Sequence, residues 1–247
     1  MNREWATTMK KVSVWFLLGS LALAAPAWAQ DDTDSAVFRT GLGVTSLKFT
    51  DRNGNASTHR FGIVDFGASK SFGGVFVGFD TELPFNQGGS AGSPAPTATD
   101  QNATTDELVQ MEDADLTLGY GFKNQLSVFT GWHYARYDFW RNGTLFSRQT
   151  DRGPFLGLGY GFSVGKSGQL SASLAYGDFN SDTGAGPGKS TGTSVGLTWT
   201  SDFRHGLSWY ARLKWLDYKF KLDSDVVVTG GRDATKSIVS LAIGLVY

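Results

Sequence analysis

Two acid pairs stand out in this chain, Asp80-Thr81-Glu82 and Asp113-Ala114-Asp115. Alternate residues of an extended strand project from one face, so each pair presents two carboxylates side by side. Such a pair can pass protons to a bound water, or it can meet basic side chains in ion pairs. Strand alternation points further charges the same way: Arg39, Asp65, His133, Arg212 and Lys214. These nine residues are the candidates for a binding, pore-lining or ion-pairing role. A histidine beside a serine could also activate a nucleophile. The three histidines, His59, His133 and His205, carry no motif that singles out such a pair, so no catalytic residue is assigned.

Two loop motifs resemble ligand sites and fall short of them. Residues 184–190 read Gly-Ala-Gly-Pro-Gly-Lys-Ser, but a phosphate loop ending there needs glycine at position 183, which is Thr183. Asp51-Arg52-Asn53-Gly54-Asn55 starts like a calcium loop and lacks its closing acid. Asn-Gly favours a tight turn instead. Cysteine is absent, which removes disulfides and thiolate metal sites. The reading calls for no metal and no cofactor.

The elements that must position the charges are strands. Period-2 alternation broken by turn residues predicts ten of them, at 36–50, 58–70, 74–85, 107–122, 125–139, 150–163, 168–179, 191–202, 207–221 and 234–247. Connections after the even strands are short, and those after the odd strands are longer. The longest, 86–106, is rich in Gly, Ser, Pro, Thr and Asn. Leu118-Gly119-Tyr120-Gly121-Phe122 recurs as Leu158-Gly159-Tyr160-Gly161-Phe162, each followed by a turn and Leu-Ser. A reused hairpin of this kind suits a closed ring. One face of the strands is greasy: Leu126, Val128, Trp132 and Tyr134; Leu156, Leu158, Tyr160 and Phe162; Trp209, Leu213 and Trp215. Trp199 and Trp209 flank a short turn, where an interfacial aromatic girdle would sit.

The two ends carry addresses. Arg3, Lys10 and Lys11 precede an apolar run at 12–25 and an Ala27-Trp28-Ala29 site, which reads as a cleaved secretory signal over 1–29. An uncleaved anchor is the alternative, but the run is shorter than the roughly 20 residues a spanning helix needs. Residues 30–247 then form a single domain. The full chain has a formal charge of −1. Removing Arg3, Lys10, Lys11 and Glu4 takes away a net +2 and leaves about −3, which favours no nucleic-acid partner. At the other end, Val239, Leu241, Ile243, Leu245 and Tyr247 share a face, opposite small Ser240, Ala242 and Gly244.

This closing strand, with its terminal aromatic, resembles the last strand of bacterial outer-membrane β-barrels. The class includes the OmpA membrane domain, OmpX and the omptins. The resemblance implies an all-β, antiparallel up-and-down transmembrane barrel of about ten strands, with eight or twelve as alternatives. It implies location in the outer membrane, contact with lipid and lipopolysaccharide, and recognition of Tyr247 by the barrel-assembly machinery. A secreted β-sandwich would also alternate, but would leave the outward tryptophans unexplained. Omptin proteases pair an Asp-x-Asp with an Asp-x-His. Asp113-Ala114-Asp115 resembles the first motif, and the second does not occur in this chain. Barrels of about eight strands are filled by side chains, and only sixteen or more leave a wide channel. The sequence therefore leaves three roles open: a non-enzymatic barrel with a structural or surface-binding role, a narrow channel for small solutes, or an outer-rim enzyme acting on peptide or lipid A. It names no ligand.

Overall fold

The structure is a computed structural model, and it describes residues 36–50, 56–86, 88–90, 107–141, 144–165, 167–183, 186–204, 207–222 and 233–247. The signal segment, the Asn53 turn and His205 lie outside the described residues, as does most of 86–106. What is described is strand and tight turn: β1 (Ala36–Thr50), β2 (Ala56–Phe72), β3 (Val75–Pro84), β4 (Gly88–Ser90), β5 (Glu107–Gly121), β6 (Leu126–Arg141), β7 (Thr144–Val164), β8 (Gly168–Thr183), β9 (Gly186–Arg204), β10 (Leu207–Leu222) and β11 (Asp233–Val246). No helix among the described residues is long and apolar enough to cross a membrane, which says nothing of strands.

Each long strand pairs antiparallel with its neighbour, and β1 pairs with β11, so the sheet closes on itself. Ten strand positions make the ring. The short β4 shares a position with β3. Pro84 lacks an N–H and ends the β2–β3 ladder opposite Ile63. The chain detours through Phe85 and Asn86, whose Oδ1 accepts from the Gly62 amide at 2.6 Å. β4 then resumes pairing, with Arg60 on one side and Leu108 on the other.

Register fixes the shape. Following paired residues from Ala36 through Lys70, Val77, Leu118, Thr130, Leu156, Tyr176, Thr193, Asp217 and Ser237 returns to β1 at Lys48, twelve residues along. With ~3.3 Å per residue and ~4.8 Å between strands, that stagger tilts the strands by about 40° and sets a backbone radius of about 10 Å. Each strand residue then advances about 2.5 Å along the barrel axis.

The outward face is apolar from the turn end upward. Leu126, Trp132 and Tyr134 on β6 are exposed, as are Leu156, Leu158, Tyr160, Phe162 and Val164 on β7 and Val239, Leu241, Ile243 and Leu245 on β11. From Val164 to Pro154 this band is about 25 Å tall, the height of a transmembrane barrel's apolar belt. Trp199 and Trp209 meet edge to face, ring centres 4.3 Å apart, beside the β9–β10 turn. The β2–β3 turn uses Gly73 and Gly74 at φ +56° and +91°, the two left-handed positions that a two-residue hairpin requires.

Two expectations about length need correction. β7 begins at Thr144 and β9 at Gly186, so the connections after the fifth and seventh long strands span only 142–143 and 184–185. These hairpins run on beyond the greasy band, where exposed residues such as Thr144, Arg148, Asp182 and Lys189 are polar and apolar alternation stops marking the ladder. Residues 186–190 of the phosphate-loop lookalike are therefore strand, paired with β8.

Inside, the charges form a layer. Leu47, Ile63, Met111, Ala135, Leu216 and Ile238 cover it on the loop side, each two residues beyond Thr45, Asp65, Asp113, His133, Lys214 or Ser240. On the turn side Phe76, Phe129 and Phe155 fill the lumen. These rings occupy space above glycines: a Cβ on Gly119 would sit 2.2 Å from the Phe76 ring, and one on Gly157 2.3 Å from Phe129.

Candidate functional site

β2, β3 and β5 bring acids to one wall of the lumen, and β1 and β10 bring bases. The closed ring sets them against each other. Arg212 is the hub. Its Nη1 donates to Asp80 at 2.8 Å, and its Nη2 donates to Asp65 at 2.6 Å and to Glu82 at 2.8 Å. Arg39 donates through Nε to Asp65 at 3.2 Å and pairs through Nη2 with Asp80. The Tyr210 hydroxyl donates to Asp65. Glu82 also accepts from Ser240, which is in turn bonded to Thr45.

A second group adjoins the first. Lys214 Nζ lies 3.2 Å from Asp113 and 3.4 Å from Asp115. His133 Nδ1 is 2.6 Å from the other Asp115 oxygen, and its Nε2 is 3.4 Å from the Tyr218 hydroxyl. The His133 ring packs against Phe179 and Tyr218. Toward the loop end, Lys236 pairs with Asp151, which also accepts from Ser181 and Gln149. The Lys236 ammonium lies 4.2 Å from the centre of the Tyr137 ring.

All nine candidate residues are buried, none above 5% exposed, and hydrogen bonds join them into the first two groups. Alternation alone did not single out Tyr210, Lys236 or Asp151, although each has the inward parity, and it marked Ser240 only as a small inward residue. Lys236 stands two inward positions before Ser240, where the small-residue face of the last strand hid it. Small residues also give the long side chains room. A Cβ on Gly41 would sit 2.3 Å from the Tyr210 hydroxyl, and one on Gly67 would sit 2.9 Å from Arg39 Nη2.

The electrostatics follow from the count. Six lumen carboxyls (Asp65, Asp80, Glu82, Asp113, Asp115, Asp151) face four basic side chains (Arg39, Arg212, Lys214, Lys236) and two imidazoles, His59 and His133. With the carboxyls and the four basic groups ionised, the excess is two negative charges when both imidazoles are neutral, and one when His133 alone is protonated. Isolated, each buried ion would cost several kcal/mol; paired and multiply hydrogen-bonded, it is tolerated. Ligand atoms of Asp113, Asp115 and His133 lie within 4.8 Å of one another, close enough to hold a cation. Lys214 already brings a positive charge to both carboxylates. The acid pair sits at the depth of outward Leu116 and Trp132, inside the apolar band, with the Met111–Leu216 layer between it and the loop end.

No family model and no curated protein matches this chain. Among solved structures, the outer membrane protease OmpT from Escherichia coli superposes with a TM-score of 0.59 at 12% identity, over 87% of this chain and 96% of that one. The toluene transporter TodX of Pseudomonas putida gives 0.39 at 10% identity, over 90% and 91% of the two chains. OprG from Pseudomonas aeruginosa gives 0.38 at 11%, over 89% and 97%. At such identities the likeness is one of fold. The chain has the architecture of the outer-membrane β-barrels, a fold it shares with that protease.

Proposed function

We propose that this protein is a non-conducting barrel of the bacterial outer membrane, with a structural or surface-binding role in the envelope and no enzymatic one. On this reading residues 1–29 direct its export and the closing strand, through Tyr247, is read by the assembly machinery. The outward belt supports the membrane part, because about 25 Å of apolar side chains encircle a sheet that leaves no edge for lipid to face. One observation carries the non-conducting part: Arg39 and Arg212 reach across the lumen to Asp65, Asp80 and Glu82, and an apolar layer covers those ion pairs on the loop side. A lumen about 20 Å across between backbones has little room left once such side chains meet at its centre.

Single-channel recording in planar bilayers tests this. The folded barrel is expected to be silent across voltage and pH. Discrete conductance steps would replace the reading with a narrow channel. Peptide cleavage or lipid A modification by the purified barrel, lost on Asp113→Asn, would replace it with an enzyme.

A further inference from the structure

Outward charges at the loop end are handled differently on two sides of the barrel. Across β5, β6 and β7 they neutralise one another. Arg136 bonds Glu112 at 2.6 Å and approaches Asp138 at 3.6 Å, and Arg148 bonds the same Asp138 at 2.6 Å. On β9 and β10 they do not. Lys189 and Lys221 are direct cross-strand partners, and Lys219 stands one outward step below Lys221, opposite Thr191. All three are exposed. Among the described residues none of the three forms an ion pair, although Asp217 lies one outward step below Lys219 and Asp182 sits opposite Pro187.

Like charges directly opposite on a sheet repel, with Cβ atoms only about 5 Å apart. Two ammonium groups at that spacing can share the oxygens of one phosphate. Directly below lies the apolar belt, here Trp215, Val195 and Tyr176, all exposed. Lys219 is four residues beyond Trp215, about 10 Å along the axis, where headgroups replace acyl chains. The patch thus offers acyl contact beneath and cationic contact above.

We propose that Lys189, Lys219 and Lys221 bind the phosphorylated headgroup of an outer-leaflet lipid. The proposal rests on the membrane reading above and deepens it by assigning the lipid a place on the wall.

Native mass spectrometry of the full barrel in detergent tests it, with bis-phosphorylated lipid A, dephosphorylated lipid A and inorganic phosphate as probes. Bis-phosphorylated lipid A is expected to bind at least tenfold more tightly than the dephosphorylated form. A Lys189→Gln, Lys219→Gln, Lys221→Gln variant should lose that preference, and single Lys221→Gln should lose part of it. A Lys48→Gln, Arg60→Gln variant on another part of the wall should keep it. Equal binding of the two lipids, an unaffected triple variant, or an equal loss in the Lys48 and Arg60 variant would overturn the site. Displacement of the lipid by inorganic phosphate at similar concentration would overturn the lipid assignment in favour of a free anion. Heat-modifiable gel mobility separates the two levels: no shift in the unmutated protein would sink the barrel reading itself, and a shift without lipid preference would sink only this site.

Discussion

At the scale of single residues, Arg212 is the side chain on which most others depend. It donates to three carboxylates, none of which water can reach. Arg212→Met keeps the bulk and removes the charge, so Asp65, Asp80 and Glu82 lose a partner together. Breaking a buried pair from one side costs about 3–5 kcal/mol. Urea unfolding of the refolded barrel should show a loss of that order, and a change below about 1 kcal/mol would mean that the pairs are not formed. Adding Glu82→Gln should recover part of the loss, since it removes one of the stranded charges. Tyr210→Phe is milder: Asp65 loses one donor and keeps two arginines, at a cost of about 1–3 kcal/mol. The nine charges were legible because alternation assigns a face to every strand residue and a charge on the inner face must find a partner. Which acid meets which base was not, since that depends on a twelve-residue stagger accumulated around ten strands. Tyr210 escaped notice for a related reason: an inward tyrosine reads as apolar filler until its hydroxyl is seen against Asp65 in the space that Gly41 leaves.

At the scale of elements, the strands are matched pairs of glycine and ring. Gly119 on β5 lies under Phe76 of β3, and Gly131 on β6 lies under Phe155 of β7. Any side chain at Gly119 must displace the Phe76 ring. Gly119→Val should therefore destabilise the barrel by about 1–3 kcal/mol through overpacking. Phe76→Leu in the same chain should return part of that, because the two sites share one space. Thermal loss of heat-modifiable mobility, compared across the single and double variants, measures the coupling; purely additive effects would contradict the contact. The greasy segments of the strands could be read from sequence to within a residue or two, as with 36–50 and 207–221 against β1 and β10. Their polar extensions could not. Thr144 to Thr150 pair by backbone hydrogen bonds that leave no trace in hydrophobic period, and β4 is three residues of glycine and serine.

At the scale of the whole molecule, conduction is the property most exposed to the lumen network. Replacing Arg39 and Arg212 with alanine removes two of the side chains that bridge the lumen and leaves the Lys214 and Lys236 ion pairs in place. Where the barrel still folds, planar bilayers should then show small cation-selective steps, because the carboxylates remain. Continued silence would mean that the remaining ion pairs and the apolar layers on either side of them block the path without the two arginines. The same network also bears on how the ring comes to exist. Arg39 belongs to β1 and Arg212 to β10, the ninth strand of the ring, yet both are held by acids of β2 and β3. Until β1 meets β11 along the seam from Arg39↔Val246 to Thr50↔Thr235, Arg212 has no route to those acids. An open sheet would carry bare ions and an unpaired edge into hydrocarbon, and both are disfavoured there. Insertion and closure are thereby coupled: the early strands must wait for the late ones, and a chain stalled before β10 has no stable place in the bilayer.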